Sequence, residues 1–595
     1  MNHFISGIIK IVILEASVAL LVVDLVAAGR FERERTKVAG VLGGLMVYAW
    51  ANYGALRSNT SVAYALTAVP LVLACAWLLE AGFGEALSAR MQRFRGWAAN
   101  RLGAARGPKL AAVTLVALLS VGWVFQGVRS GAVVMVHPWE QFHFYFGAKY
   151  QREVGWFDLY KAALLADRET VNVLARVPST RDLTTFDEVP VEQALRDGAQ
   201  VRARFSDEAW ASFKRDWVTM TELYPMDWGR VIDDHGNSNS PAWSIIAHPI
   251  ASLVPLSVEG TAWLGWLDML LMLGLWLCVF RTFGARVGAT GLLVWAMGPL
   301  VFDYLAGSFL RWDWLFALGM ATCLLRQKRS AAAGAFFGYA VATKLFPIFF
   351  GVALLLRAFF EWRRTRTIQR EYRDFLFGAV AVGAIIVALA AAMFGPQAWV
   401  EYARRIQVAQ VEKFYAIQYS LQTVYLQLAA GSWPVWSQGL FPSELMQARR
   451  DVDLAQYAWG FWVVRLGFTW LIAQLIRRAD DVEAFVMGPL LVFTWLTVNM
   501  YYWNMLGLLA MGLVLRKDRQ RPALALLIGL HVIFMFFYLY QHLNRGLTEG
   551  FAVASLLALL VALTGLWEWR TVAAQAANDP SPVPPPGRLA RGRSR

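Results

Sequence analysis

The sequence predicts an all-α polytopic membrane protein, and three observations carry that prediction. Of its 595 residues, 57% are hydrophobic and only 16% are charged, whereas soluble domains run at about 25% charged. Many separate apolar runs reach the ~18 residues that mark a bilayer-spanning helix. The basic residues gather in short segments between those runs, as the positive-inside rule requires of cytoplasmic loops. The net charge of +14 is therefore read as a topology signal, not as a nucleic-acid surface.

In chain order, the first apolar runs are 4–28, 38–56, 61–80 and 110–128. No basic stretch precedes the first, so it reads as a retained span and not a cleaved signal. Glu15 and Asp24 within it read as helix-packing polar residues. A long polar segment, 129–259, then interrupts the pattern. Its stretch 162–221 mixes charges and helix formers, punctuated by Pro178, Pro190 and Gly198, and reads as a small helical subdomain. Spans 260–280, 287–305 and 313–325 follow, then a broken pair, 330–343 and 346–360. The break is Lys344-Leu-Phe-Pro347, because proline lacks a helix donor and restricts the residue before it. The remaining spans are 375–394, 459–477, a short pair 483–498 and 502–515, then 523–541 and 549–569.

With 330–360 as a hairpin that returns to its own side, every basic cluster falls on the cytoplasmic face. The segments 129–259, 395–458 and 542–548 are then extracytoplasmic. The chain divides into an N-terminal three-span addition with a basic cytoplasmic loop (1–109), a transmembrane core (110–570) and a basic, Pro-rich tail (571–595) that reads as disordered. Cys75, Cys278 and Cys323 all lie in apolar runs, so the polar segment holds neither a disulfide nor a Cys-based zinc site. There is no phosphate-cradling glycine loop and no dinucleotide fingerprint, so nothing supports an ATP-driven pump.

Several polar groups stand where membrane should meet water. Glu140 and His143 are three residues apart and would share a helix face. Trp139, Phe142, Phe144 and Phe146 would hold that helix at the interface. A carboxylate in so dry a place is a candidate general base. The run Asp233-Asp234-His235-Gly236-Asn237 could hold a cation or a sugar, although turn chemistry alone also favours these residues. Arg311-Trp-Asp313-Trp sits at a span end with Asp303 nearby, where charges are costly unless paired or used. Lys344, at the hairpin tip, requires an anion, which a lipid phosphate would supply, or else snorkels. Arg404, Arg405 and Lys413 on a segment, 397–415, that reads as amphipathic and interfacial, and His542, Asn544 and Arg545 at a late span end, are further polar candidates.

Together these pieces resemble the GT-C superfamily of membrane glycosyltransferases, in its bacterial mannosyl- and arabinosyltransferase-like branch. The resemblance is carried by a span followed at once by Glu140-x-Phe-His-Phe-Tyr145, by Gly155-Trp-Phe-Asp-Leu-Tyr160 and an external helical loop. Arg311-Trp-Asp-Trp and Thr343-Lys-Leu-Phe-Pro347 complete it. It covers 110–570 and leaves out the leading spans. It implies a GT-C-like transmembrane helix bundle with a large extracytoplasmic helical loop, in the bacterial cytoplasmic membrane. It implies a polyprenyl-phosphate-linked sugar as donor and a glycan, glycolipid or protein hydroxyl as acceptor on the extracytoplasmic face. The family's catalytic carboxylate lies in the first external loop, usually as Asp; the matching place here holds Glu140, with Asp158 and Asp234 as alternates.

The expected roles are then Glu140, His143 and Asp158 in catalysis, and Lys344, Arg311, Arg404, Arg405, His542 and Arg545 on the donor phosphate. Tyr145, Asp234, His235, Asn237 and Asp313 would contact sugar or acceptor. No cofactor is required, and a divalent metal is compatible but not implied. A transporter or flippase of a lipid-linked or anionic solute is the rival reading, since broken helices and mid-membrane charges suit it too.

Overall fold

The computed structural model describes residues 136–296, 307–411, 418–430, 443–516, scattered positions between 522 and 533, and 545–578. The N-terminal addition with Glu15 and Asp24, the span 110–128, the end of the tail, Asp303, Lys413, His542 and Asn544 lie outside the described residues. Within them the chain is helical apart from two short antiparallel pairs. Ser179–Arg181 pairs with Glu188–Pro190, Thr180 opposite Val189, and Gln418–Tyr419 pairs with Val498–Asn499.

The polar segment builds the expected helical subdomain from Leu159–Arg168, Val191–Arg202 and Asp207–Leu223. Ser206 starts the last of these by accepting from the Ala209 amide, and Asp207 and Glu208 oppose the helix dipole in its first turn. Trp210, Phe213, Trp217 and Met220 recur on one face and are buried. Buried Asp167 accepts from the amides of Val173 and Leu174 and from Trp217 Nε1, which ties the following turn to two helices.

The aromatic stretch after residue 138 belongs to this core and does not form an interfacial belt. Phe142 and Phe146 are fully buried, with Phe142 against Trp217 and Trp228 and Phe146 against Phe213. An aromatic cluster fits a bilayer interface or a protein interior equally well by composition. Here the helices of the same segment supply the opposing rings. The backbone is α-helical over Pro138–Gln141 and widens to a π-helix over Phe142–Phe146, a local form found often at functional sites.

Most of the remaining helices form a second core of mixed aliphatic and aromatic residues. Four described helices are long and apolar enough to cross a membrane: Val258–Phe283, Arg370–Phe394, Asp451–Arg477 and Val553–Thr571. Other expected spans are shorter or divided. The run 313–325 becomes Asp313–Arg326. The pair 483–498 and 502–515 becomes Asp481–Phe485, Gly488–Trp495, a 3-10 turn over Met500–Met505 and Leu506–Leu515. One cause is local and one distant: Pro489 lies near one helix start, and Val498–Asn499 leaves the helix to pair with Gln418–Tyr419.

The helix break at Lys344 is as expected. Ser330–Thr343 ends where Lys344 turns extended, and Ile348–Thr365 starts after Pro347. The first half lies directly on Arg370–Phe394. A Cβ on Gly334 would stand 1.9 Å from Phe375 O, and one on Gly378 2.0 Å from Ala331 O. Small residues are therefore required on both sides of this crossing.

Candidate functional site

The polar groups converge at the seam between the aromatic-cored subdomain and the helices around Lys344. From the subdomain side, the Pro138–Gln141 turn presents Glu140 and the buried Gln141. Gln141 Nε2 donates to the carbonyls of Thr261, Gly307 and Ser308, fastening the turn to the 258–283 helix and to the segment before Arg311. Glu140 Oε1 then meets Arg311 Nη1 at 2.7 Å, with side chains only 12% and 7% exposed. The pair joins positions far apart in sequence.

Arg311 is held from both sides. Leu310 adopts a left-handed conformation, φ +48°, costly for a residue other than glycine. Its carbonyl accepts from Trp243 Nε1 at 2.9 Å, and the Trp312 amide donates to buried Asp268 at 3.0 Å. Asp313 follows, accepting from Tyr339 Oη at 2.6 Å. Tyr339 lies on the first half of the broken helix, so this bond ties Arg311-Trp-Asp-Trp to the arm that ends at Lys344.

Lys344 itself is 8% exposed. Its ammonium lies 5.9 Å from the centre of the Tyr502 ring, within a cluster in which Trp314, Phe346 and Tyr502 touch one another. Among the described residues it has no ion pair. Asp313 attracts it from a longer distance, and an anionic ligand would add the direct counter-ion that a charge in so dry a place favours.

The 234–240 turn lies against the same tip, because Ser240 Oγ donates to Ala342 O at 2.5 Å. At its start Asp234 accepts from Trp139 Nε1 at 2.6 Å and faces His235 Nδ1 at 3.4 Å. Burial opposes ionisation of Asp234, but His235, His143 and Trp139 outweigh it and hold the carboxyl well below the usual range. Asp234 is thus a poor proton acceptor and a good acceptor of hydrogen bonds from hydroxyls.

His143 has a positioning role here. Its Nε2 and Tyr160 Oη are 2.8 Å apart, and Tyr160 Oη accepts from the Gly236 amide at 3.0 Å. The phenol proton then goes to Nε2, and Nδ1–H faces the backbone carbonyls of Trp139 and Val231. Burial lowers the His143 pKa, against the opposing pull of Asp234 and Glu140, so the ring stays neutral and braces the 234–240 turn through Tyr160.

Other expected site residues are placed elsewhere. Tyr145 is fully buried; its hydroxyl donates to Val254 O and accepts from Lys149. Asn237 accepts from the Asn239 amide, shaping its own turn. Arg405, 1% exposed, donates to the carbonyls of Leu183 and His235 and stacks 4.2 Å from Phe186, so its donors point into the subdomain and not toward a lipid. Asp158 is paired with Lys161 at 2.8 Å and Arg204 at 2.6 Å, and it lines a separate cleft together with Arg404. Arg545 opens the Arg545–Asn578 helix.

Sequence reasoning missed Tyr160, Ser240, Asp268, Tyr339 and Tyr502. Tyr160 ended a motif already singled out, and Asp268 is the acidic residue inside the hydrophobic run 260–280, a signal that intramembrane charge rules supply. No family model matches the chain, and no curated protein or solved structure matches it either.

Proposed function

We propose that the chain is an integral membrane glycosyltransferase of the GT-C type. It moves a sugar from a polyprenyl-phosphate donor to an acceptor hydroxyl on the extracytoplasmic face of a bacterial cytoplasmic membrane. The observation that carries this reading is the Lys344 ammonium, nearly buried at a helix break, close to the seam that holds Glu140, Arg311 and Asp313. An aromatic-walled cation without an ion pair among the described residues suits a phosphate at the head of a lipid. The bilayer is supported by the outer face of the Arg370–Phe394 helix, where Phe377 is 73% and Val380 61% exposed. In water such a face would cost about 25 cal/mol per Å² of apolar surface; in lipid it costs nothing.

The chemistry balances with these groups. The acceptor oxygen attacks the anomeric carbon while the bond from that carbon to the phosphate oxygen breaks. The acceptor proton passes to Glu140, which Arg311 holds in place, and the electron pair leaves on the phosphate, whose growing charge faces Lys344. Asp234 accepts hydrogen bonds from sugar hydroxyls, and Asp313 orients Tyr339 beside the same arm. Phosphate is already a good leaving group, so the step needs no covalent enzyme intermediate.

The test uses the full-length protein in detergent with polyprenyl-phosphate-linked mannose and arabinose as donors, reading release of polyprenyl phosphate. Lys344→Met should weaken donor binding by tenfold or more and leave the melting temperature unchanged or raised, because an apolar side chain of similar volume replaces a buried charge. Wild-type donor affinity in a folded Lys344→Met protein would sink the assignment. Activity that requires a transmembrane gradient would point to transport instead.

A further inference from the structure

We propose that the cleft between the Gly155–Asp158 step and the Gln397–Val411 helix is a binding subsite for a neutral saccharide, the acceptor of the transfer reaction. The acceptor role rests on the transferase reading; the location and ligand class rest on the cleft itself. The cleft encloses about 360 Å³, inside the range of small-molecule sites, and it is distinct from the seam around Glu140.

Its chemistry favours a polyol over an ion. Asp158, Arg204, Gln397, Glu401, Arg404 and Gln407 line it, with Phe157 supplying an apolar face. Acceptors and donors alternate, and most are planar forks: carboxylates, guanidiniums and amides. Adjacent hydroxyls on a sugar ring offer the complementary pairs of donors and acceptors. A phosphate would meet the carboxylates of Asp158 and Glu401, and a metal cation would meet Arg204 and Arg404. Asp158 is committed to Lys161 and Arg204. Gln397, Glu401, Arg404 and Gln407 have no hydrogen-bond or ion-pair partner among the described residues, so their groups are available to a ligand. Burial raises the Glu401 pKa, with Arg204 and Arg404 pulling the other way and Asp158 adding to the rise.

The backbone is built to bring these groups together. Gly155 stands at φ +55° and ψ −140°, a conformation open essentially to glycine alone. A Cβ there would lie 2.9 Å from Glu401 Oε2, so glycine lets the helix close on the loop. The cleft also connects to the seam. Trp156 on its wall donates to Asn239 O at 2.7 Å, and the next residue, Ser240, holds Ala342, two residues before Lys344.

The experiment uses the full-length protein in lipid nanodiscs, free of sugar-based detergent and of any donor. Saturation-transfer NMR is recorded with the methyl glycosides of mannose, galactose, glucose and arabinose, with inorganic phosphate as competitor. At least one glycoside should bind, and equimolar phosphate should not displace it. Glu401→Ala and Arg404→Ala should each weaken binding by about tenfold or more, as expected for lost hydrogen bonds to charged groups. Exposed Gln407→Ala should weaken it less while leaving the melting temperature unchanged. Absence of glycoside binding, displacement by phosphate, or wild-type affinity in all three variants overturns the proposal. Glycoside binding without sugar transfer would keep the subsite and sink the transferase reading, whereas transfer with an unchanged acceptor KM in Glu401→Ala and Arg404→Ala would do the reverse.

Discussion

Replacing Glu140 by Gln separates what this carboxylate does for structure from what it does for chemistry. Its partner Arg311 lies at 2.7 Å, and the two side chains are 12% and 7% exposed. Removing one member of a buried pair leaves the other charge uncompensated and costs about 3–5 kcal/mol. Gln keeps an acceptor oxygen for the guanidinium, so the loss should fall at the lower end, roughly 3 kcal/mol. As a general base Glu140 would be worth about 10²–10⁴ in rate. Glu140→Gln should therefore lower both the melting temperature and sugar transfer, and Glu140→Asp should keep part of the activity. The decisive variant combines Glu140→Gln with Arg311→Met, which removes both charges. It should recover most of the lost stability, a coupling that a double-mutant cycle measures, while transfer remains at least about 100-fold down. If transfer returns together with stability, the pair is purely structural and the base lies elsewhere.

Two further outcomes follow from the packing and the buried imidazole. Gly334→Val places branched carbon where a Cβ alone would stand 1.9 Å from Phe375 O; the broken helix should lose its seat on Arg370–Phe394, seen as a lower melting temperature and lost donor binding, while normal values for both would refute the close crossing. Burial lowers the His143 pKa in the folded state below the unfolded value of about 6.5. The unfolded chain then binds more protons in the interval beneath that value, so stability falls as pH drops below about 6.5. Asp234, held low in the folded state, loses its contribution only as pH falls below about 4. His143→Gln should flatten the upper of these two slopes in pH-resolved melting; an unchanged slope would place the titration on another group.

The helical class, the helical subdomain over 159–223 and the break before Ile348 were legible in the sequence because each depends on neighbours along the chain. Hydropathy over a window, helix formers punctuated by proline and glycine, and a proline inside an apolar run all act within a few residues. The same locality explains where the reading failed. The aromatic stretch after Pro138 had the composition of an interfacial belt, but Phe142 and Phe146 found Trp217, Trp228 and Phe213 across the subdomain. The run 483–515 had the hydropathy of two spans, but Val498 and Asn499 pair with Tyr419 and Gln418, an attraction that no window around them contains. The strands Ser179–Arg181 and Glu188–Pro190 are three residues each, too short to show an alternating pattern.

The candidate site divides in the same way. Sequence alone determined that Glu140, Asp234, Arg311, Asp313 and Lys344 were unusual, since charge beside apolar runs is expensive wherever it occurs. It could not determine their partners. Arg404 and Arg405 are adjacent and chemically alike, yet one lines an open cleft and the other is sealed against Phe186, because consecutive residues on a helix point about 100° apart and only the surroundings say which direction is inside. Glu140 was the first candidate for the base, with Asp158 and Asp234 as alternates. Tertiary contacts set Asp158 between Lys161 and Arg204 and brought Glu140 to Arg311. Those pairings depend on which faces of distant helices meet, and that is decided by packing across the whole chain.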